Sequence, residues 1–299
     1  MYRSILVPLD GSLPSEQSLP YAAALARRSG AGLELVYVHT PLLLAEGSLY
    51  LGTPDVQLWE EEKQYLLTIV ERLKKAGVAK VEAHLLEGSV VEKLQEHAFA
   101  QGCDLTVMTT HGRGPLSRFW LGSVANQLLT RTTIPLLLIR AREERVELAE
   151  EPEIRDLLVA LDGTPTAEQI LEPAGTLAKL MGAKCTLLRV TPGVTTNQFS
   201  KSTRVDAALA DKWRAEAHIY LQRMAATLHD RGITTRTRIL AHAHPATAVL
   251  TEAASGEYGA IALETHGRCG LPRLFLGSVA DKVVRGASLP VLVHRCLPS

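Results

Sequence analysis

The residues most able to do chemistry fall in one stretch that occurs twice. Positions 110–124 read THGRGPLSRFWLGSV and positions 265–279 read THGRCGLPRLFLGSV. Each copy has a glycine, Gly112 or Gly267, then nine intervening residues, then a Gly-Ser-Val: Gly122, Ser123 and Val124 in one, Gly277, Ser278 and Val279 in the other. Glycines let backbone N–H groups approach an anion, and a Gly-Ser that opens a helix offers the helix N-terminus to phosphate. Arg113 and Arg268 can add a charge-assisted contact. His111 and His266 either touch phosphate or hold the loop by a hydrogen bond. The glycines themselves serve either a ligand cradle or turn geometry alone.

A second marker repeats as well. Asp10-Gly11-Ser12 near the start has its counterpart in Asp162-Gly163-Thr164. Each aspartate is either an acceptor for a base amino group or ribose hydroxyl, or a turn and helix-entry residue. The paired histidines lie 155 positions apart (266 − 111) and the paired aspartates 152 (162 − 10), so the chain is a tandem duplication with small insertions.

The elements that must position these residues alternate. Residues 2–9 form a short, branched, apolar run typical of a strand buried on both faces, ending at Asp10-Gly11-Ser12. A helix capped by Ser15 carries Leu19, Ala22, Ala23 and Ala26 on one face and closes at Gly30. Strands are expected over 33–39, 81–86, 105–108 and 135–139, with helices over 55–76, after Gly88, and from a cap at Ser123. The second half repeats the order, with strands over 154–161, 185–190, 236–240, 260–263 and 291–294. Its helix stripe Trp213, Ala217, Tyr220, Met224 and Leu228 reads as core, and Glu60-Glu61-Glu62 in the first half reads as a solvated helix face. Such alternation builds an open, mostly parallel sheet with helices on both faces, five strands in each half. Residues 1–140 and 154–299 are the two expected domains, and 141–153 the linker. The segments 40–54 and 191–205 do not resemble each other; the first, with Leu42, Leu43, Leu44, Tyr50 and Leu51, suits a lid or a protein-contact patch.

Composition narrows the partners. Thirty-two basic residues balance thirty-two acidic ones among 299, so no basic face points to nucleic acid or an anionic membrane. The N-terminus reaches Pro8 and Asp10 before a signal-peptide apolar region can form, and no apolar run is long enough to span a membrane; a cytoplasmic location is expected. Cys103, Cys185, Cys269 and Cys296 lie far apart, as reduced, mostly buried thiols do. His242 and His244 form an H-x-H at a strand end without a third ligand at metal spacing, so no structural metal is expected.

At the repeated loop the chain resembles the universal stress protein family in its tandem form, over essentially the whole length. Family members with bound ATP carry G-x-x-G, nine residues, then G-S or G-T, together with an aspartate after the first strand and a valine at the end of the second. The matching residues are Gly112 with Gly122 and Ser123, Gly267 with Gly277 and Ser278, Asp10 and Asp162, and Val38 and Val190. This chain departs at the first glycine, which is Thr109 in one half and Glu264 in the other. Thr109 adds a hydroxyl able to bond a ligand, whereas Glu264 brings a carboxylate close to the expected polyphosphate or to Arg268, and like charges repel. The resemblance implies a Rossmann-like fold of the adenine nucleotide alpha hydrolase type and bound ATP or AMP, mainly in the first half; it leaves open whether Mg²⁺ accompanies the nucleotide. It also implies that the fifth strands of the two halves meet, and it allows a homodimer.

Catalysis finds little support, since the chain holds no G-x-x-x-x-G-K-S/T loop, no G-x-S-x-G elbow and no evident base and nucleophile pair beside the loop. Weak ATP hydrolysis stays open. The residues suggest a nucleotide-binding module rather than a catalyst, and the resemblance implies that it is a stress sensor or regulator. The alternative is a pseudo-dimeric assembly protein with degenerate sites, and a hydrolase or transferase using the same cleft is a third possibility.

Overall fold

The computed structural model describes residues 1–41, 53–110, 121–140, 146–148, 151–193, 203–265 and 276–295. The chain divides into two compact units, Met1–Pro152 and Glu153–Ser299.

In the first unit the order is β1 (Ser4–Leu9), α1 (Leu13–Glu16), α2 (Leu19–Ser29), β2 (Gly32–His39), α3 (Thr53–Lys75) and β3 (Val81–Glu87). It continues with α4 (Val90–Ala100), β4 (Leu105–Thr109), α5 (Ser123–Arg131) and β5 (Leu136–Ile139). Its strands lie in the order β3-β2-β1-β4-β5, and the paired strands whose register is defined run parallel. The second unit repeats this with β6 (Asp156–Leu161), α6 (Pro165–Glu168), α7 (Leu171–Met181), β7 (Lys184–Thr191) and α8 (Thr203–His229). β8 (Thr235–Ala241), α9 (Pro245–Ala253), β9 (Ala260–Glu264), α10 (Ser278–Gly286) and β10 (Val291–His294) complete it, ordered β8-β7-β6-β9-β10 and again parallel. Each sheet reverses its strand order between the first and fourth strands, β1 and β4 or β6 and β9. Connections diverge there, and a crevice opens beyond the carboxyl ends.

Burial explains why these runs are strands. Ile5, Leu6 and Val7 of β1 and Leu157, Leu158 and Val159 of β6 are essentially inaccessible, as a central parallel strand covered on both faces requires. Leu19, Ala22, Ala23, Ala24 and Leu25 of α2 supply part of the cover.

The structure corrects the expected single helix after β1. Ser12, rather than Ser15, caps α1, its hydroxyl accepting from the Ser15 N–H, and a separate helix α2 begins at Leu19. Pro20 forces the break, because its ring would clash with the carbonyl four residues back if the helix ran through. The second unit breaks likewise between α6 and α7, where Pro173 stands in the first turn of α7. The expected cap at Ser123 is also displaced by one residue: Gly122 holds the N-cap position and Ser123 is the first helical residue.

Candidate functional site

Each unit has a cleft at the carboxyl edge of its sheet. In the first it encloses about 550 Å³ and is lined by Asp10, Val38, Thr109, Gly122, Ser123 and Val124. In the second it encloses about 310 Å³ and is lined by the counterparts Asp162, Val190, Glu264, Gly277, Ser278 and Val279. Sequence reading thus named residues that the fold does bring together. His111, Gly112, Arg113, Gly267 and Arg268 lie outside the described residues.

The stem of the repeated loop is built the same way twice. The Thr110 N–H donates to the Ile139 carbonyl at 2.9 Å, adding one rung to the β4–β5 ladder, and the Thr110 carbonyl accepts from the Gly122 N–H at 2.7 Å. Thr265 repeats both bonds, with the His294 carbonyl and the Gly277 N–H, each at 2.9 Å. The loop is therefore pinched at its base, and the Gly122 and Gly277 amides are committed to that closure rather than to a ligand. The next three amides in each unit belong to residues that line the clefts: Ser123, Val124 and Ala125, or Ser278, Val279 and Ala280. All six residues follow an N-cap glycine that makes no side-chain cap bond, and all six line a cleft. Uncapped first-turn amides carry the positive end of the helix dipole.

The two aspartates both serve the turn. Asp10 Oδ1 accepts from the Ser12 N–H at 3.0 Å and from the Ser12 hydroxyl. Asp162 Oδ1 accepts from the Thr164 N–H at 2.9 Å and the Thr164 hydroxyl at 2.7 Å. Those hydroxyls in turn cap α1 and α6. The intervening glycines have φ of 79° and 91°, a region where an L side chain is strained. The turn reading of Asp10 and Asp162 is thus satisfied through one carboxylate oxygen, while both residues also line a cleft.

Three relationships around the clefts are not visible in the order of residues along the chain. Tyr65 on α3 and Tyr220 on α8, 155 positions apart, stand near these aspartates. Burial first, then the Glu16 carboxylate, pushes the Tyr65 phenol far up, with Asp10 adding to the effect; burial, then Glu168 and Asp162, does the same to Tyr220. Glu62 is not on a solvated face as expected from Glu60-Glu61-Glu62. It is buried, lines the first cleft, and its Oε2 lies 2.7 Å from His39 Nδ1, while His39 Nε2 faces Asp55 Oδ1 at 3.3 Å. The signal was available: Glu62 shares the helical stripe of Leu66, Ile69 and Leu73, all buried. The partner of Glu264 is the third. The Glu264 carboxylate, 2% exposed, meets His294 Nδ1 at 2.8 Å across the β9–β10 ladder, so it has a protein partner beside the second cleft. His242 and His244 pair with each other, His242 Nδ1 accepting from the His244 N–H at 2.9 Å.

The comparisons with known proteins decide the family. The sequence profile described as "Universal stress protein family" matches residues 1–140 and again 153–295. The chain belongs to that family. A universal stress protein of Mycobacterium tuberculosis is 25% identical over 301 residues, covering 97% of this chain and 96% of its own length. One from Thermus aquaticus is 30% identical over 145 residues, covering 47% of this chain and all of its own. The crystal structure of a universal stress protein from Archaeoglobus fulgidus superposes with a TM-score of 0.71 at 19% identity, covering 98% of both chains, which supports the fold. This tandem universal stress protein has, among its described residues, no helix long and apolar enough to cross a membrane.

Proposed function

We propose that this universal stress protein binds an adenine nucleotide, ATP or AMP, mainly in its first unit, and acts as a sensor or regulator rather than a catalyst. The observation that carries this reading is the convergence of Asp10, Val38 and the first-turn residues Ser123, Val124 and Ala125 on one cleft of about 550 Å³, within the range of small-ligand sites. Val38, on β2, offers the base an apolar wall. Asp10 accepts from a ribose hydroxyl or the base amino group. The first turn of α5 takes phosphate through its amides. Two features support an unequal second site: its cleft is smaller, about 310 Å³, and the Glu264 carboxylate lines it where the first cleft has Thr109.

Calorimetric titration of the full chain with AMP, and with ATP plus Mg²⁺, tests the reading. One saturable equivalent, lost in Asp10→Ala and kept in Asp162→Ala, is expected. Loss in Asp162→Ala with retention in Asp10→Ala would move the site to the second unit. No binding heat, together with no nucleotide released on denaturing freshly purified protein, would overturn nucleotide binding in favour of an assembly protein with degenerate clefts. The pairing of Glu264 with His294 favours that second reading for the second unit alone.

A further inference from the structure

Away from the cleft, three side chains from three elements converge on one point. Glu34 of β2, His84 of β3 and His97 of α4 bring a carboxylate oxygen and two ring nitrogens within 4.8 Å of one another. Glu34 Oε2 lies 2.8 Å from His84 Nε2 and 3.2 Å from His97 Nε2, and the two imidazole centroids are 4.3 Å apart. The sheet register explains the meeting. Glu34 pairs with Glu82 and Val36 with His84, so Glu34 and His84 share one face of the β2–β3 ladder, one diagonal step apart. His97 descends onto them from the last turn of α4.

We propose that Glu34, His84 and His97 form a binding site for a divalent transition-metal ion of the zinc class. Two imidazole nitrogens and one carboxylate are the donor set of an open tetrahedral zinc site, with the fourth position left to solvent or a substrate. The burial fits that description: Glu34 and His97 are buried, whereas the His84 side chain is 26% exposed and gives an entry path. The two carboxylate–imidazole pairs, 2.8 and 3.2 Å apart, need to part only slightly, and the two ring nitrogens, within 4.8 Å of each other, to settle at a similar separation, to hold an ion with bonds of about 2.0–2.1 Å at tetrahedral angles.

The second unit supplies an internal control. The place of His84 in the ladder is taken there by Arg238, since Val36 pairs with His84 as Leu188 pairs with Arg238. Counted from the helix N-caps Ser89 and His244, the place of His97 is taken by Glu252. Arg238 Nε and Glu252 Oε1 form an ion pair at 3.3 Å. The fold thus closes this corner with an ordinary salt bridge where the two imidazoles are absent, and two adjacent imidazoles on one carboxylate oxygen are not required by it. None of the three residues lines the proposed nucleotide cleft, although their neighbours Val36 and Leu94 do. Glu34 precedes Val38 by four residues on β2, about 13 Å of strand.

The test is calorimetric titration of the full chain, stripped with EDTA, with Zn²⁺, and a parallel titration with Co²⁺ followed by its visible d–d absorption. One saturable Zn²⁺ equivalent and the intense Co²⁺ band of tetrahedral coordination are expected. Glu34→Gln, His84→Asn and His97→Asn should each weaken Zn²⁺ by about 100-fold or more and abolish the band, while His242→Asn leaves both unchanged. Far-UV circular dichroism verifies folding, and the partly exposed His84→Asn and near-isosteric Glu34→Gln carry the test if His97→Asn does not fold. No saturable Zn²⁺ binding, or binding that survives Glu34→Gln and His84→Asn, overturns the proposal.

Discussion

Glu264 Oε2 and His294 Nδ1 lie 2.8 Å apart on paired positions of β9 and β10, where the first unit pairs Thr109 with Ile139 on β4 and β5. The two changes occur together: a buried carboxylate arrives with an imidazole to meet it. Removing one partner of a buried pair leaves the other desolvated and uncompensated, a cost of about 3–5 kcal/mol. The His294 side chain is 19% exposed, so water can reach part of the gap and the loss should fall at the lower end. His294→Ala is expected to cost about 3 kcal/mol in urea unfolding. The double variant Glu264→Thr with His294→Ile, which copies the first unit, should return to within about 1 kcal/mol of the parent. Additive losses in the double variant would show that the pair is not the reason for either residue.

Alkaline conditions should destabilise the chain, with a sign that follows from burial. Burial raises the Tyr65, Tyr220 and Tyr258 phenols and the Cys103 thiol, and raises the Cys185 thiol to about 12. A group whose folded value lies above its unfolded value stabilises fully below the unfolded value and loses that contribution as pH rises through the folded one. The unfolded thiols and phenols ionise near 9.0 and 10.0. Thermal midpoints should therefore be unaffected by these groups at neutral pH and fall steadily from about pH 9 towards pH 12. Calorimetric scans across that range check it, and a midpoint that rises above pH 9 would contradict the assignment. The same burial predicts that Cys103 and Cys185 resist alkylation at neutral pH until the chain is unfolded.

Tyr220 separates two contributions of one side chain. Its ring lies under the Arg189 guanidinium at 4.9 Å and near that of Arg223 at 5.6 Å, while its buried hydroxyl has no hydrogen-bond partner among the described residues. A desolvated hydroxyl without a partner costs free energy, whereas the ring stabilises through packing and the cation–π contacts. Tyr220→Phe should be neutral or up to about 1 kcal/mol more stable, and Tyr220→Ala about 3–5 kcal/mol less stable. A loss in Tyr220→Phe close to that of Tyr220→Ala, seen in denaturant unfolding, would mean that the hydroxyl holds a partner.

The order of strands and helices was legible because each strand is a short branched run ended by a turn, and because the same order recurs after about 150 residues. The clefts were legible in their ends: Asp10, Val38 and Ser123 are adjacent to element boundaries, and a parallel sheet delivers such boundaries to one edge. What failed was local. Pro20 and Pro173 break helices that apolar periodicity alone would run straight through. Glu62 was hidden by its acidic neighbours Glu60 and Glu61, both exposed, although its place on the buried stripe distinguishes it. Glu34, His84 and His97 carry no motif at all, since they come from three elements and only the β2–β3 register and the docking of α4 bring them together. The meaning of Glu264 likewise depended on which residue stands across the ladder, and that is a property of register rather than of order along the chain.

Gly163 tests the turn that holds the second aspartate. Its φ is +91°, and a Cβ there would lie 2.6 Å from Arg189 Nη2. The backbone strain cannot be relieved, and costs an L residue about 1–2 kcal/mol. The steric part involves the end of a flexible side chain and can be relieved by moving or removing it. Gly163→Ala should therefore destabilise the chain by about 1–3 kcal/mol, and Arg189→Ala in that background should recover only the steric share. Gly11, at φ 79° in the equivalent turn, provides the comparison for strain. If Gly163→Ala with Arg189→Ala, referred to Arg189→Ala alone, costs as much as Gly11→Ala in urea unfolding, strain accounts for the remainder. A fully recovered double variant would instead show that Arg189, rather than the left-handed backbone, is what requires glycine at this position.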